Sequence, residues 1–174
     1  MALLRRDEII SETSPRELAV RETAVRQFLS ALHDLDTEHR RLKSSFARHL
    51  GLAQTDYYAL MFIAEAQTVT PKQLAASLNF TTGATTAMID RIEKFGLVHR
   101  IPNPDDRRSV YLELTAAGIE ASSWVTDRYM ETAHAALTLD RSSTPEHKID
   151  VLTHATEAMT ATVASLQGGE NVVD

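Results

Sequence analysis

The 174-residue chain contains no cysteine. Disulfides, thiolate metal ligands and thiol-based oxidant sensing are therefore excluded. Glycine and proline are scarce, at six and five residues, and no phosphate-cradling G-x-G-x-x-G or G-x-x-x-x-G-K-[ST] loop occurs. The histidines are His33, His39, His49, His99, His134, His147 and His154. None forms an H-x-x-x-H or H-E-x-x-H pair, so no two imidazoles share a helical face in zinc-binding register. No serine sits in a recognisable nucleophile elbow. The sequence thus nominates no catalytic residue, no metal site and no cofactor, and it reads as a non-enzyme. No apolar run approaches the ~20 residues of a bilayer span, and the N-terminus MALLRRDEII meets acidic residues too early for a signal peptide. The expected location is cytoplasmic, with no membrane partner.

Positive charge is also in short supply, with a net charge of -6. Its distribution matters more than its sum: residues 1–115 carry fifteen basic and fifteen acidic side chains, and residues 116–174 carry three basic and nine acidic. The acid excess is confined to the C-terminal third, away from the stretch from Thr70 to Thr115. That stretch opens with Thr70, Pro71 and Gln73, in which the Thr and Gln side chains satisfy each other's free backbone groups and Pro fills the first helical position. Asn79 to Thr82 interrupts this helix, Thr81 or Thr82 caps a second one carrying Met88, Ile89 and Ile92 at helical spacing, and Gly96 ends it. Leu97–Ile101 and Ser109–Leu114 read as strands around the turn Pro102-Asn103-Pro104-Asp105-Asp106-Arg107-Arg108. Two helices followed by a charged hairpin make a winged helix-turn-helix.

The second helix opens with small residues and no acid, so its positive end suits close approach to a major groove. The arginine-tipped hairpin suits the electronegative minor groove. The DNA-facing set is Thr81, Thr82, Gly83, Thr85, Thr86, Arg91, Asp106, Arg107 and Arg108.

The run LAASLNFTTGATTAMIDRIEKFGLVHR followed by NPDDRRSVYLELTAAG resembles the MarR family of bacterial transcription regulators. Its wing D-x-R falls on Asp106-Arg107-Arg108, and its closing L-T-x-x-G on Leu114-Thr115-Ala116-Ala117-Gly118. The resemblance implies a homodimer with two winged modules on a double-stranded, pseudo-palindromic DNA operator, usually a repressor released by a small aromatic or lipophilic effector. Ala87 departs from it, standing where a basic or larger polar residue is common, which leaves Thr82, Gly83 and Thr86 as the expected base-edge contacts, with the two threonine methyl groups suited to thymine.

The two ends of the chain carry matching apolar seams. After Ser14-Pro15-Arg16-Glu17, which repeats the capping logic, Val25, Phe28, Leu32, Leu35, His39, Leu42 and Phe46 alternate by three and four to about Leu50. Near the C-terminus, Ser143 and Glu146 open a helix in which Ile149, Leu152, Thr156, Met159, Val163 and Leu166 repeat the pattern. The expected fold is mainly α with a small β-wing. An N-terminal arm covers 1–13, dimerisation helices 14–50 and 140–168, the winged core 52–115, a linking helix 116–139 and a tail 169–174. Thr55 is expected to cap the first core helix, and Val69-Thr70 to add a third strand beside the hairpin. His39, Phe46, Tyr57, Tyr58 and Trp124 mark where an effector pocket is sought. A rival reading, a winged-helix protein-interaction module with little DNA binding, draws on the low net basicity and on Ala87.

Overall fold

Local signals at the chain's start set the first helix. Ser14 accepts from the Glu17 backbone N–H while the Glu17 carboxylate accepts from the Ser14 N–H at 2.9 Å, and Pro15 takes the first helical position. These bonds hold the Glu17 carboxyl below the usual carboxylate range. The computed structural model describes residues 14–104, 106, 108–139 and 142–169; the expected arm over 1–13 and all of the tail beyond Gly169 lie outside them. The elements are α1 (Pro15–His49), α2 (Gln54–Ala66), α3 (Pro71–Leu78), α4 (Thr82–Lys94), β1 (Val98–Pro102), β2 (Val110–Leu114), α5 (Ala116–Leu139) and α6 (Pro145–Gly169). No helix among the described residues is long and apolar enough to cross a membrane.

The chain divides into two compact units, one through Ala121 and one from Ser122 onward. In the first, the end of α1 packs on α2, and α2, α3, α4 and the β1–β2 hairpin enclose one core. Leu60, Ile63, Leu74, Ile92 and Leu112 are buried with no exposed surface, each stabilising the unit by about 1.5–3 kcal/mol relative to exposure. The hairpin is antiparallel, with Val98 opposite Leu114 and Pro102 opposite Val110. Val69 adds the expected third strand as a single bridge: its carbonyl accepts from Leu112 N–H at 2.8 Å, and its N–H donates to Leu112 O at 3.4 Å.

Helix ends follow their sequence signals with two exceptions. Gly51 and Gly96 terminate α1 and α4 at φ of 69° and 74°, a region where glycine carries no Cβ penalty. Thr55 does not cap α2; Ala53 occupies that position without a side-chain bond, and the Thr55 hydroxyl instead donates to Asp56 Oδ1 at 3.2 Å. At α6, Thr144 rather than Ser143 accepts from the His147 N–H, so the helix begins at Pro145. In the second unit Val125 and Ser122 are buried, and Lys148 Nζ donates to the Leu137 carbonyl at 2.9 Å, bracing α6 to α5.

Gln67 lies in the left-handed half of backbone space, at φ 62° and ψ -49°. With Thr68 N–H donating to Ala66 O at 2.7 Å, it forms a γ-turn of the rarer, strained hand. This turn delivers the chain from α2 directly to Val69 and its bridge. Gln67→Gly is expected to raise stability by about 0.5–1 kcal/mol, because relief of strain outweighs added freedom in the unfolded chain. A lower melting midpoint than the parent would contradict it.

Candidate nucleic-acid interface

The start of α4 is built by Thr81, whose hydroxyl accepts from the Ala84 N–H at 3.3 Å. Thr82, Gly83, Ala84 and Thr86 follow on the exposed surface of the helix. A Cβ placed on Gly83 would meet nothing within 4 Å, so the first turn offers open space in front of its unbonded amides. The Thr86 hydroxyl donates to the Thr82 carbonyl at 3.0 Å, which satisfies the hydroxyl within the helix while the residue stays exposed.

Two of the expected contacts are redirected by the packing. Thr85 is buried, and its hydroxyl donates to the Thr81 carbonyl at 3.0 Å. It shares the core face of α4 with Met88, Ile89 and Ile92, so it braces the helix from behind. Arg91 faces α2: its Nε donates to Asp56 Oδ2 at 2.9 Å and a terminal nitrogen to Oδ1 at 2.6 Å. Asp56 is buried while the Arg91 side chain is 48% exposed. The hydrogen bonds from Arg91 to Asp56 raise the Arg91 pKa further above its already high value. The fork thus fixes α4 against α2.

The wing shows the same division of labour. Asp106 accepts from the Arg108 backbone N–H at 2.9 Å, and its carbonyl accepts from Ser109 N–H at 3.0 Å. The carboxylate therefore shapes the tip. Arg108 is exposed; Arg107 lies outside the described residues. At the base of the tip, Asn103 Nδ2 donates to the Ser109 hydroxyl at 2.7 Å and the backbones of the same two residues pair at 3.4 Å. The sequence gives no sign of this closure, since Asn103 reads only as part of a Pro-rich turn.

A second feature escapes a reading of the sequence. Arg100 on β1 reaches back over α4, donating to Asp90 Oδ1 at 2.6 Å and to Glu93 Oε2, and its backbone N–H donates to Glu93 Oε1 at 3.3 Å. Helix and wing strand are joined by charge as well as by the turn at Gly96.

The residues marked for an effector pocket are spread over both units. Phe46 and Tyr57 are packed into the first unit's core with ring centroids 6.5 Å apart. Tyr58 is half-buried, with its hydroxyl accepting from Gln54 Nε2 at 2.9 Å and Lys43 Nζ 5.8 Å from its ring centre. His39 sits one turn earlier on α1, where partial shelter and then the Lys43 ammonium hold its imidazole below the usual histidine range. Trp124 belongs to the second unit and is half-buried there.

Comparison with known proteins places this architecture. A sequence profile of the MarR family matches residues 52–110. The multiple antibiotic resistance protein MarR of Escherichia coli K12 is 33% identical over 87 residues, 50% of this chain and 60% of that protein, so the match spans less than two thirds of that relative. An uncharacterised HTH-type transcriptional regulator of Bacillus subtilis, YcgE, is 32% identical over 126 residues, 72% of this chain and 77% of the relative. The crystal structure of apo wild-type MarR from E. coli superposes with a TM-score of 0.57 at 26% identity, covering 74% of this chain and 93% of that one. A cysteine-to-serine mutant of the same protein, crystallised with operator DNA, shares the fold at a TM-score of 0.56 and 24% identity, covering 78% and 95%. The chain belongs to the MarR family.

Proposed function

We propose that the protein is a sequence-specific transcription regulator that binds a pseudo-palindromic DNA operator as a homodimer and represses until a small aromatic or lipophilic effector loosens it. The observation that carries the DNA reading is the unobstructed start of α4, where Thr82, Gly83 and Thr86 are exposed beside an Arg108-bearing wing. Thr81, as cap, supplies geometry; Thr82, Gly83 and Thr86 read base edges; Arg107 and Arg108 engage the backbone and minor groove. The dimer reading rests on the seams. Phe28, Leu35, Ile149, Leu152, Met159 and Val163 are all exposed in the single chain. An apolar stripe of that length on both ends calls for a second copy, which sets two reading heads about 34 Å apart, one turn of DNA.

The test is fluorescence anisotropy with the duplex upstream of the protein's own gene against a scrambled duplex, at two salt concentrations. The parent is expected to prefer the native duplex, with a modest salt slope because basic groups are few. Gly83→Glu should abolish that preference while the dimer stays folded. Arg107→Ala/Arg108→Ala should weaken binding by about 2–3 kcal/mol in the dimer. Equal, weak binding of parent and variants to both duplexes would overturn the reading in favour of a protein-interaction module. A monomer by light scattering at micromolar concentration would overturn the homodimer.

A further inference from the structure

The exposed stripe of α4 does not stop at Thr86. Asp90 lies one turn beyond Thr86, and Glu93 one turn beyond that, so two carboxylates continue the line of Thr82 and Thr86. Both retain exposure, the Asp90 side chain 59% and Glu93 36%. A helix that presents such a stripe to a polyanion repels it, unless the charge is answered locally. Arg100 is the cation that answers it. Its guanidinium spans both carboxylates, at 2.6 Å from Asp90 and in direct contact with Glu93, and Glu93 also accepts from the Arg100 backbone N–H. The Arg100 side chain is 30% exposed, and both of its terminal nitrogens are committed to these carboxylates. That placement suits a screening role better than a phosphate contact of its own.

We infer that Arg100 is a positioning residue for DNA recognition, an internal counter-ion that neutralises the acidic second half of the α4 stripe and so permits its first half to close on the duplex. The inference rests on the DNA-binding reading above. It makes Asp90 and Glu93 a latent repulsive pair: masked while Arg100 is in place, and opposed to phosphate when it is not.

The experiment is a charge-rescue series read by anisotropy on the same native and scrambled duplexes, with melting curves alongside. Arg100→Met keeps length and removes charge; it is expected to weaken binding to both duplexes at least tenfold at low salt, the loss shrinking as salt screens the exposed acids. Adding Asp90→Asn and Glu93→Gln to that variant should restore binding to within about threefold of the parent. In the parent background, Asp90→Asn/Glu93→Gln leaves Arg100 in place and should bind a few-fold more tightly. Screening predicts this gain, whereas a brace that merely holds the wing predicts a loss. Failure of the acid substitutions to rescue Arg100→Met, or weaker binding by Asp90→Asn/Glu93→Gln, would overturn the inference while leaving the regulator reading intact. A parent that binds neither duplex would instead overturn the regulator reading and this inference with it.

Discussion

Gly118→Ala is expected to lower the stability of the first unit by about 2–3 kcal/mol and its melting midpoint by roughly 10 °C. Gly118 stands in the first turn of α5, against the chain that leaves α4. Its N–H donates to the Thr115 hydroxyl at 3.1 Å, that hydroxyl donates to the Gly96 carbonyl at 2.5 Å, and Thr115 N–H donates to Leu97 O at 3.0 Å. A Cβ on Gly118 would fall 1.9 Å from the Leu97 carbonyl oxygen and 3.0 Å from its carbon. Both are backbone atoms in this bonded junction, so no rotamer change relieves the overlap. Alanine's better helix propensity offers about 1 kcal/mol in return, less than the cost of separating α5 from the Gly96–Leu97 turn. Gly83→Ala serves as the control, since its Cβ would meet nothing within 4 Å. Equal midpoints for the two variants in a melt at matched protein concentration would refute the close-approach explanation.

Arg91→Met should be nearly as costly, at about 3 kcal/mol, because it leaves the buried Asp56 carboxylate without its bidentate partner. The reverse deletion is gentler. Asp56→Asn leaves the half-exposed Arg91 side chain able to turn to water, and about 1–2 kcal/mol is expected. Asp56→Asn/Arg91→Met should therefore be more stable than Arg91→Met alone, a coupling that a double-mutant cycle by urea unfolding measures directly. Additive losses would mean that the pair contributes nothing as a pair. Since Asp56 and Arg91 tie α2 to α4, Arg91→Met should also reduce operator preference.

The parts of this structure that were legible in the sequence are those governed by local rules. Ser14 with Glu17 and Thr70 with Gln73 close their capping boxes within four residues, and Gly51 and Gly96 stop helices through their own φ. The Thr115 hydroxyl, which accepts from the Gly118 N–H, caps α5 over the same short range. At Thr85 the helical phase decides: Met88, Ile89 and Ile92 define the core face of α4, and Thr85 sits one turn before Met88 and Ile89 on that same face. Extended backward by one turn, that periodicity separates it from Thr86. Arg91 and Arg100 are different. Their partners lie 35 residues away on α2 in one case and across a turn, 7 and 10 residues back, in the other. No spacing rule indicates that an arginine on α4 turns inward, or that one on a strand turns back over that helix. Asp106 reads equally well as a turn former or as part of the family's wing motif, and only its bond to the Arg108 N–H distinguishes the two.

With the seams of α1 and α6 exposed in each chain, pairing as proposed would make occupancy of an operator scale with the square of chain concentration below the pairing threshold. The protein's own abundance then becomes an input to its control. Halving the chain concentration would lower the population of paired reading heads nearly fourfold in that regime, without any effector at all.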